Sequence, residues 1–154
     1  IYCLNKTSEN EKFEEWMQKQ KNKETRILLH GTRCSSVLGI FQHGLKIRPS
    51  GNFHYSGSVY GTGLYFSETT SKSLNYTGHD ADKFMLVYEV HVGNPFVYKG
   101  WRIRENDQFD LTLENLNKRG FDSTFVEAGN GLLNSEIITY TENQNRLKYL
   151  IHIK

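Results

Sequence analysis

Residues 84–92 alternate, with Phe84, Leu86, Tyr88, Val90 and Val92 on one side and Met85, Val87, Glu89 and His91 on the other. Side chains that leave a pleated backbone on alternate faces give this period of two, and an α-helix cannot satisfy it. The polar pair at the end of the second side makes it a half-buried antiparallel strand. Shorter runs of the same kind occupy 26–30, 121–126, 135–140 and 147–153, the last with Leu147, Tyr149, Ile151 and Ile153 in step, while 61–66 is apolar and extended. Helical signals are few and brief. Ser8 stands three positions before Glu11, the capping-box spacing, and Phe13, Trp16 and Met17 follow at helical intervals, so a helix is expected to about Lys21 with a basic last turn. Val37, Leu38, Ile40 and Phe41 read as a second helix closed by Gly44, and Thr69 or Thr70 opens a short third one reaching about Tyr76. Many strands with a few short helices indicate an α+β domain.

Composition narrows the class. A chain of 154 residues is one domain and buries roughly two-thirds of its unfolded surface. Apolar residues at 37% and aromatics at 13% exclude a disordered or fibrous protein. The formal charge of +2 steers polyanions only weakly, and the cluster Lys19, Lys21, Lys23 and Arg26 reads as a solvated helix end. Two cysteines, Cys3 and Cys34, build no disulfide framework and no C-x-x-C, which suits a reducing intracellular compartment, cytoplasmic or nuclear. The six histidines have no ligand spacing, so no metal is expected. Neither a membrane span nor a leader is visible. The chain opens on Ile1 rather than Met, as a domain cut from a longer polypeptide would, and a monomer is expected.

Residues 48–60 hold Pro49, Gly51, Asn52, Ser56, Gly57 and Ser58, a density of turn formers that makes a surface loop. After it, Gly61-Thr62-Gly63 lacks the third glycine, the long helix and the βαβ spacing of a Rossmann site. A short apolar run, Ile27-Leu28-Leu29, instead delivers His30 and Gly31 to a sheet edge or cleft.

Four segments stand out in order: Leu28-Leu29-His30-Gly31-Thr32, Tyr60-Gly61-Thr62-Gly63-Leu64-Tyr65-Phe66, Ser71-Lys72-Ser73-Leu74-Asn75-Tyr76 and Asn134-Ser135-Glu136-Ile137-Ile138-Thr139-Tyr140. Together they resemble the catalytic domain of the poly(ADP-ribose) polymerase family, in which a histidine, a tyrosine and a glutamate occur in this order on separate strands. The resemblance runs through 1–154, including Gly120-Phe121-Asp122-Ser123 and Leu147-Lys148-Tyr149-Leu150. It implies the ADP-ribosyltransferase fold: two packed antiparallel sheets with short helices and an NAD+ cleft between them, here without the family's helical regulatory domain.

The resemblance also assigns roles. His30 would bond a ribose hydroxyl of NAD+, the main chain of Gly31 and the hydroxyl of Ser73 would hold the nicotinamide amide, and Tyr76 and Tyr65 would enclose the ring from two sides. A glycine at 31 would let the backbone approach the ligand. Glu136 would accept from the ribose 2′-hydroxyl and stabilise positive charge as the glycosidic bond breaks. Arg48 and the loop to Ser58 correspond to the family's donor loop, with Ser58 where some members carry an aromatic. Lys72 reads equally as a helper near Glu136 or the acceptor and as a solvated lysine.

The implied activity is that of a glycosyltransferase: NAD+ as co-substrate, nicotinamide release, and ADP-ribose transferred to a protein acceptor as a single unit, a short chain or a polymer. Residues 126–133, short and glycine-containing, leave little surface for a polymer end and favour mono- or short-oligomer transfer. Two other readings stand beside it, a catalytically silent module binding NAD+ or ADP-ribose and a transferase acting on nucleic acid. The intact His30, Tyr65 and Glu136 weigh against the first, and the modest charge against the second.

Overall fold

A computed structural model describes residues 1–47, 59–79, 81–99, 111–129 and 132–154. Arg48 and the loop through Ser58 lie outside the described residues.

Two four-stranded sheets form the framework. In the first, β1 (Tyr2–Cys3), β8 (Asn145–Ile153), β4 (Lys83–His91) and β2 (Thr25–Thr32) lie side by side in that order, all antiparallel. The second has the order β3 (Leu64–Phe66), β7 (Glu136–Thr139), β6 (Ser123–Val126) and β5 (Pro95–Tyr98). The α+β, two-sheet architecture is the expected one, with one departure: β5 runs parallel to β6. A parallel neighbour needs a long crossover rather than a hairpin, and helix α4 (Leu113–Lys118) lies in the connection between the two strands.

Two apolar clusters hold the layers together. The first packs Leu28, Leu86, Tyr88 and Val90 of one sheet against Leu64, Phe66 and Ile137 of the other, with Val37 and Ile40 of α2 (Cys34–His43). On the far face of the second sheet, Ile138 and Val126 meet Tyr60, Leu111, Leu116 and Tyr140. Ile137 and Ile138 are adjacent on β7 and point to opposite clusters, which places the strand carrying Glu136 between two cores. The sheets meet where Leu29 and Ser67 exchange both backbone hydrogen bonds, each 2.9 Å.

Strand β4 is not half-buried: Met85, Val87 and His91 are covered as fully as the opposite face. Part of the cover is α1 (Thr7–Gln18). Its Trp16 indole donates to Nδ1 of His91 at 3.0 Å, and Nε2 of His91 lies 2.7 Å from the carbonyl of Asn22. An indole N–H only donates and a carbonyl only accepts, so the proton of this buried imidazole sits on Nε2. Arg146 lies over the Phe13 ring and pairs with Glu89 and Glu14 on the same side.

The capping box at the start of α1 does not form. The helix begins at Thr7, so Ser8 falls inside its first turn, and the N-cap Lys6 makes no side-chain capping bond. Lys6 pairs instead with Glu9, whose other oxygen accepts the backbone N–H of Leu147 from β8. A tertiary anchor replaces the local cap. The helix stops at Gln18, before the lysines expected in its last turn. Helix α2 ends as read, on Gly44 with φ +79°, and α3 (Thr70–Leu74) is the short helix expected, ending before Tyr76.

Candidate functional site

His30 lies near the end of β2, opposite Leu86 of β4, with its ring edge-on to Phe66 and Tyr88. Its Nδ1 is 2.9 Å from the carbonyl oxygen of Tyr65. The carbonyl can only accept, so Nδ1 carries the proton in the neutral ring and Nε2 is a bare acceptor. Burial holds the His30 pKa below the usual histidine value, against a smaller upward pull from the Tyr65 carbonyl. Nε2 has no hydrogen-bond partner among the described residues.

Gly31 is needed for a reason the sequence reading did not contain. An ideal Cβ built there would stand 1.7 Å from the carbonyl oxygen of Ser73. The backbone of α3 packs directly on β2, and the displaced carbonyl is itself a helix-end acceptor for the N–H of Tyr76 at 3.1 Å. The glycine therefore serves close packing within the protein, whatever it does for a ligand. Ser73 is buried, and its hydroxyl bonds no described residue.

Tyr65 of β3 faces the second apolar cluster and is partly covered by it. Its hydroxyl accepts the backbone N–H of Tyr60 at 3.0 Å and donates to the carbonyl of Gly61 at 2.7 Å. Thus the hydroxyl is engaged by the turn that precedes the strand, and the ring is what Tyr65 has to offer a ligand. Gly61 and Gly63 in that turn are explained by crowding, since a Cβ would come within 2.5 Å of the Leu111 carbonyl in one case and 2.6 Å of Ile138 and the Thr139 carbonyl in the other.

Glu136 opens β7, whose partner β3 carries Tyr65. Its carboxylate is buried, and Oε1 lies 2.7 Å from Nζ of Lys72. That ammonium also donates to the carbonyl of Asn134 at 3.1 Å. Oε2 meets no donor among the described residues. Tyr60 and Tyr76 both titrate above the usual phenol value, first because they are desolvated and then because Glu136 is near. Tyr76 is 44% exposed.

The structure thus groups His30, Gly31, Ser73, Tyr65, Tyr76 and Glu136 around α3 and the junction of the two sheets. Lys72, which the sequence left undecided, is ion-paired and 8% exposed. Tyr60 stood in one of the four segments of the sequence without a role of its own, although its place against Gly61 at the end of a long loop was a signal. Among the described residues no group of three or more His, Cys, Asp or Glu is placed to hold a metal ion, and no helix is long and apolar enough to cross a membrane.

A family model described as the poly(ADP-ribose) polymerase catalytic domain matches residues 1–154. The chain belongs to this family. Among curated proteins, this poly(ADP-ribose) polymerase domain is 53% identical over 153 residues to the putative poly(ADP-ribose) polymerase-like 100L of Invertebrate iridescent virus 6, covering 99% of this chain and 84% of the relative. It is 29% identical over 175 residues to poly(ADP-ribose) polymerase 1 of Gallus gallus, matched along 100% of this chain and 17% of the relative. To poly(ADP-ribose) polymerase 2 of Homo sapiens it is 27% identical over 179 residues, with 100% and 30% covered. The domain therefore spans most of the viral relative and less than a third of the two vertebrate ones.

Proposed function

We propose that this chain breaks the bond between nicotinamide and ribose in NAD+ and transfers ADP-ribose to a protein acceptor. The observation that carries the reading is the buried Glu136 carboxylate, held on one oxygen by Lys72 and with no described donor on the other. Three polar atoms around the sheet junction lack protein partners among the described residues: Nε2 of His30, Oγ of Ser73 and Oε2 of Glu136. Polar atoms that converge on one place without described protein partners suit a polar ligand. The half-exposed aromatic Tyr76 beside them suits a flat heterocycle.

In this reading His30, protonated on Nδ1, accepts a ribose hydroxyl on Nε2. Ser73 and the main chain of Gly31 hold the nicotinamide amide, and Tyr76 and Tyr65 cover the ring. Glu136 accepts the 2′-hydroxyl of the same ribose, and its negative charge opposes the positive charge that develops as the bond to nicotinamide breaks. Lys72 keeps that carboxylate oriented. Arg48, outside the described residues, would by the family resemblance contribute to the donor side.

Single-unit or short-chain transfer is the product we favour. Gly129 and Leu132 exchange both backbone hydrogen bonds, at 2.7 and 2.9 Å, which supports this reading by drawing the two ends of the short connection before Glu136 together.

The decisive experiment is incubation with labelled NAD+, with Glu136→Gln beside the parent, followed by gel analysis. Labelled protein and free nicotinamide from the parent alone support the reading. No label and no nicotinamide overturn it in favour of a silent module, and label on added nucleic acid points to the third reading. A ladder of products excludes single-unit transfer. His30→Ala should weaken NAD+ binding while Glu136→Gln mostly lowers turnover, because the first contact exists in the ground state and the second strengthens in the transition state.

A further inference from the structure

We infer that Tyr140 is a positioning residue for the nicotinamide site, holding Tyr65 in place through the Tyr60–Gly61 turn. The inference rests on the reading of Tyr65 as one wall of that site.

Tyr140 directly follows β7, the strand that begins at Glu136, and it is 9% exposed. Its hydroxyl lies 3.0 Å from the carbonyl oxygen of Tyr60 and 2.9 Å from the hydroxyl of Thr124. A phenol has one proton and a carbonyl can only accept, so Tyr140 donates to Tyr60 and Thr124 donates to Tyr140. The peptide groups on either side continue the connection: the N–H of Tyr60 donates to the Tyr65 hydroxyl, which donates to the Gly61 carbonyl.

Packing repeats what the hydrogen bonds say. The Tyr140 ring lies against the turn, with Cε1 3.3 Å from the place a Cβ would take at Gly61 and Cδ1 3.2 Å from the corresponding place at Gly63. The Gly-Thr-Gly segment, which binds no dinucleotide in the Rossmann manner, is the bed for this ring. Two ends of one short segment therefore bear on the site from different sides. Glu136 faces the ribose, and four residues later Tyr140 fixes the turn from which the Tyr65 ring is hung.

The test uses the whole chain and nicotinamide itself as the probe, a ligand that reaches the Tyr65 wall without needing Glu136. In Tyr140→Phe the dissociation constant for nicotinamide and KM for NAD+ should both rise by about five-fold or more, with kcat changed by less than about two-fold. Thr124→Val removes the donor behind Tyr140 but keeps the Tyr140–Tyr60 bond. It should lower Tm without moving the nicotinamide constant. A Tyr140→Phe protein that binds nicotinamide like the parent overturns the inference, as does equal weakening in the two variants. A measurement on the parent alone covers a Tyr140→Phe chain that does not fold: saturating nicotinamide should slow hydrogen exchange at the Tyr60 amide, and unchanged exchange there overturns the proposal. If the parent binds no nicotinamide at all, it is the underlying reading that fails, and this inference with it.

Discussion

The ammonium of Lys72 stands 2.7 Å from Oε1 of Glu136, with each side chain only 10% exposed. A carboxylate and an ammonium this far from water depend on each other, because removing either leaves the other buried and unpaired. Lys72→Met should therefore destabilise the fold by about 3–5 kcal/mol and lower turnover by about ten-fold or more through a misplaced Glu136. Combining it with Glu136→Gln should recover part of the stability and none of the turnover. Denaturant titrations of the four proteins, read as a double-mutant cycle, measure the coupling.

Gly31→Ala places a methyl group on the Ser73 carbonyl, where the clearance is 1.7 Å. Two backbones must separate to admit it, so a loss of at least about 2 kcal/mol is expected. Ser73 moves with the separation, and nicotinamide binding should fall with the melting temperature. A variant that melts and binds like the parent would show that β2 and α3 are not in direct contact.

Gly44→Ala supplies the contrast. The strain there comes from φ +79° at the end of α2, about 1 kcal/mol for a residue with a Cβ. Turnover of the folded fraction should be unchanged. A thermal melt and an initial-rate assay on the same sample separate the two effects.

Acid should weaken the fold through His30. Its pKa in the folded chain lies below the usual value, whereas in the unfolded chain it titrates near about 6.5. Between those two values the unfolded state holds a proton that the folded state lacks, so stability rises with pH across the window and is lost as pH falls through it. Melting curves between about pH 7.5 and 5 should show this loss, and His30→Gln should flatten it.

Strands with a full alternating pattern were legible in the sequence. β4 and β8 each carry enough apolar residues to establish their period, and β2 delivers His30 as its apolar run suggested. What escaped was shorter or depended on a distant partner. β5 has only Pro95–Tyr98, too few residues for a period, and α4 has two leucines in six positions. The Ser8–Glu11 spacing satisfied a local rule, but Glu9 was held by Leu147, far along the chain, and the helix began earlier. Lys72 and Glu136 are 64 positions apart, so no spacing rule joins them. Gly31 was read for its ligand because the carbonyl of Ser73 that crowds it belongs to another element.

The closed pair at Gly129 and Leu132 has a consequence for how relatives of this chain can diverge. With both hydrogen bonds made between Gly129 and Leu132, residues added between them need not change the path of β7 into Glu136. On the proposed reading, length added there would leave Glu136 in place, so acceptor choice and product size would vary separately from the use of NAD+.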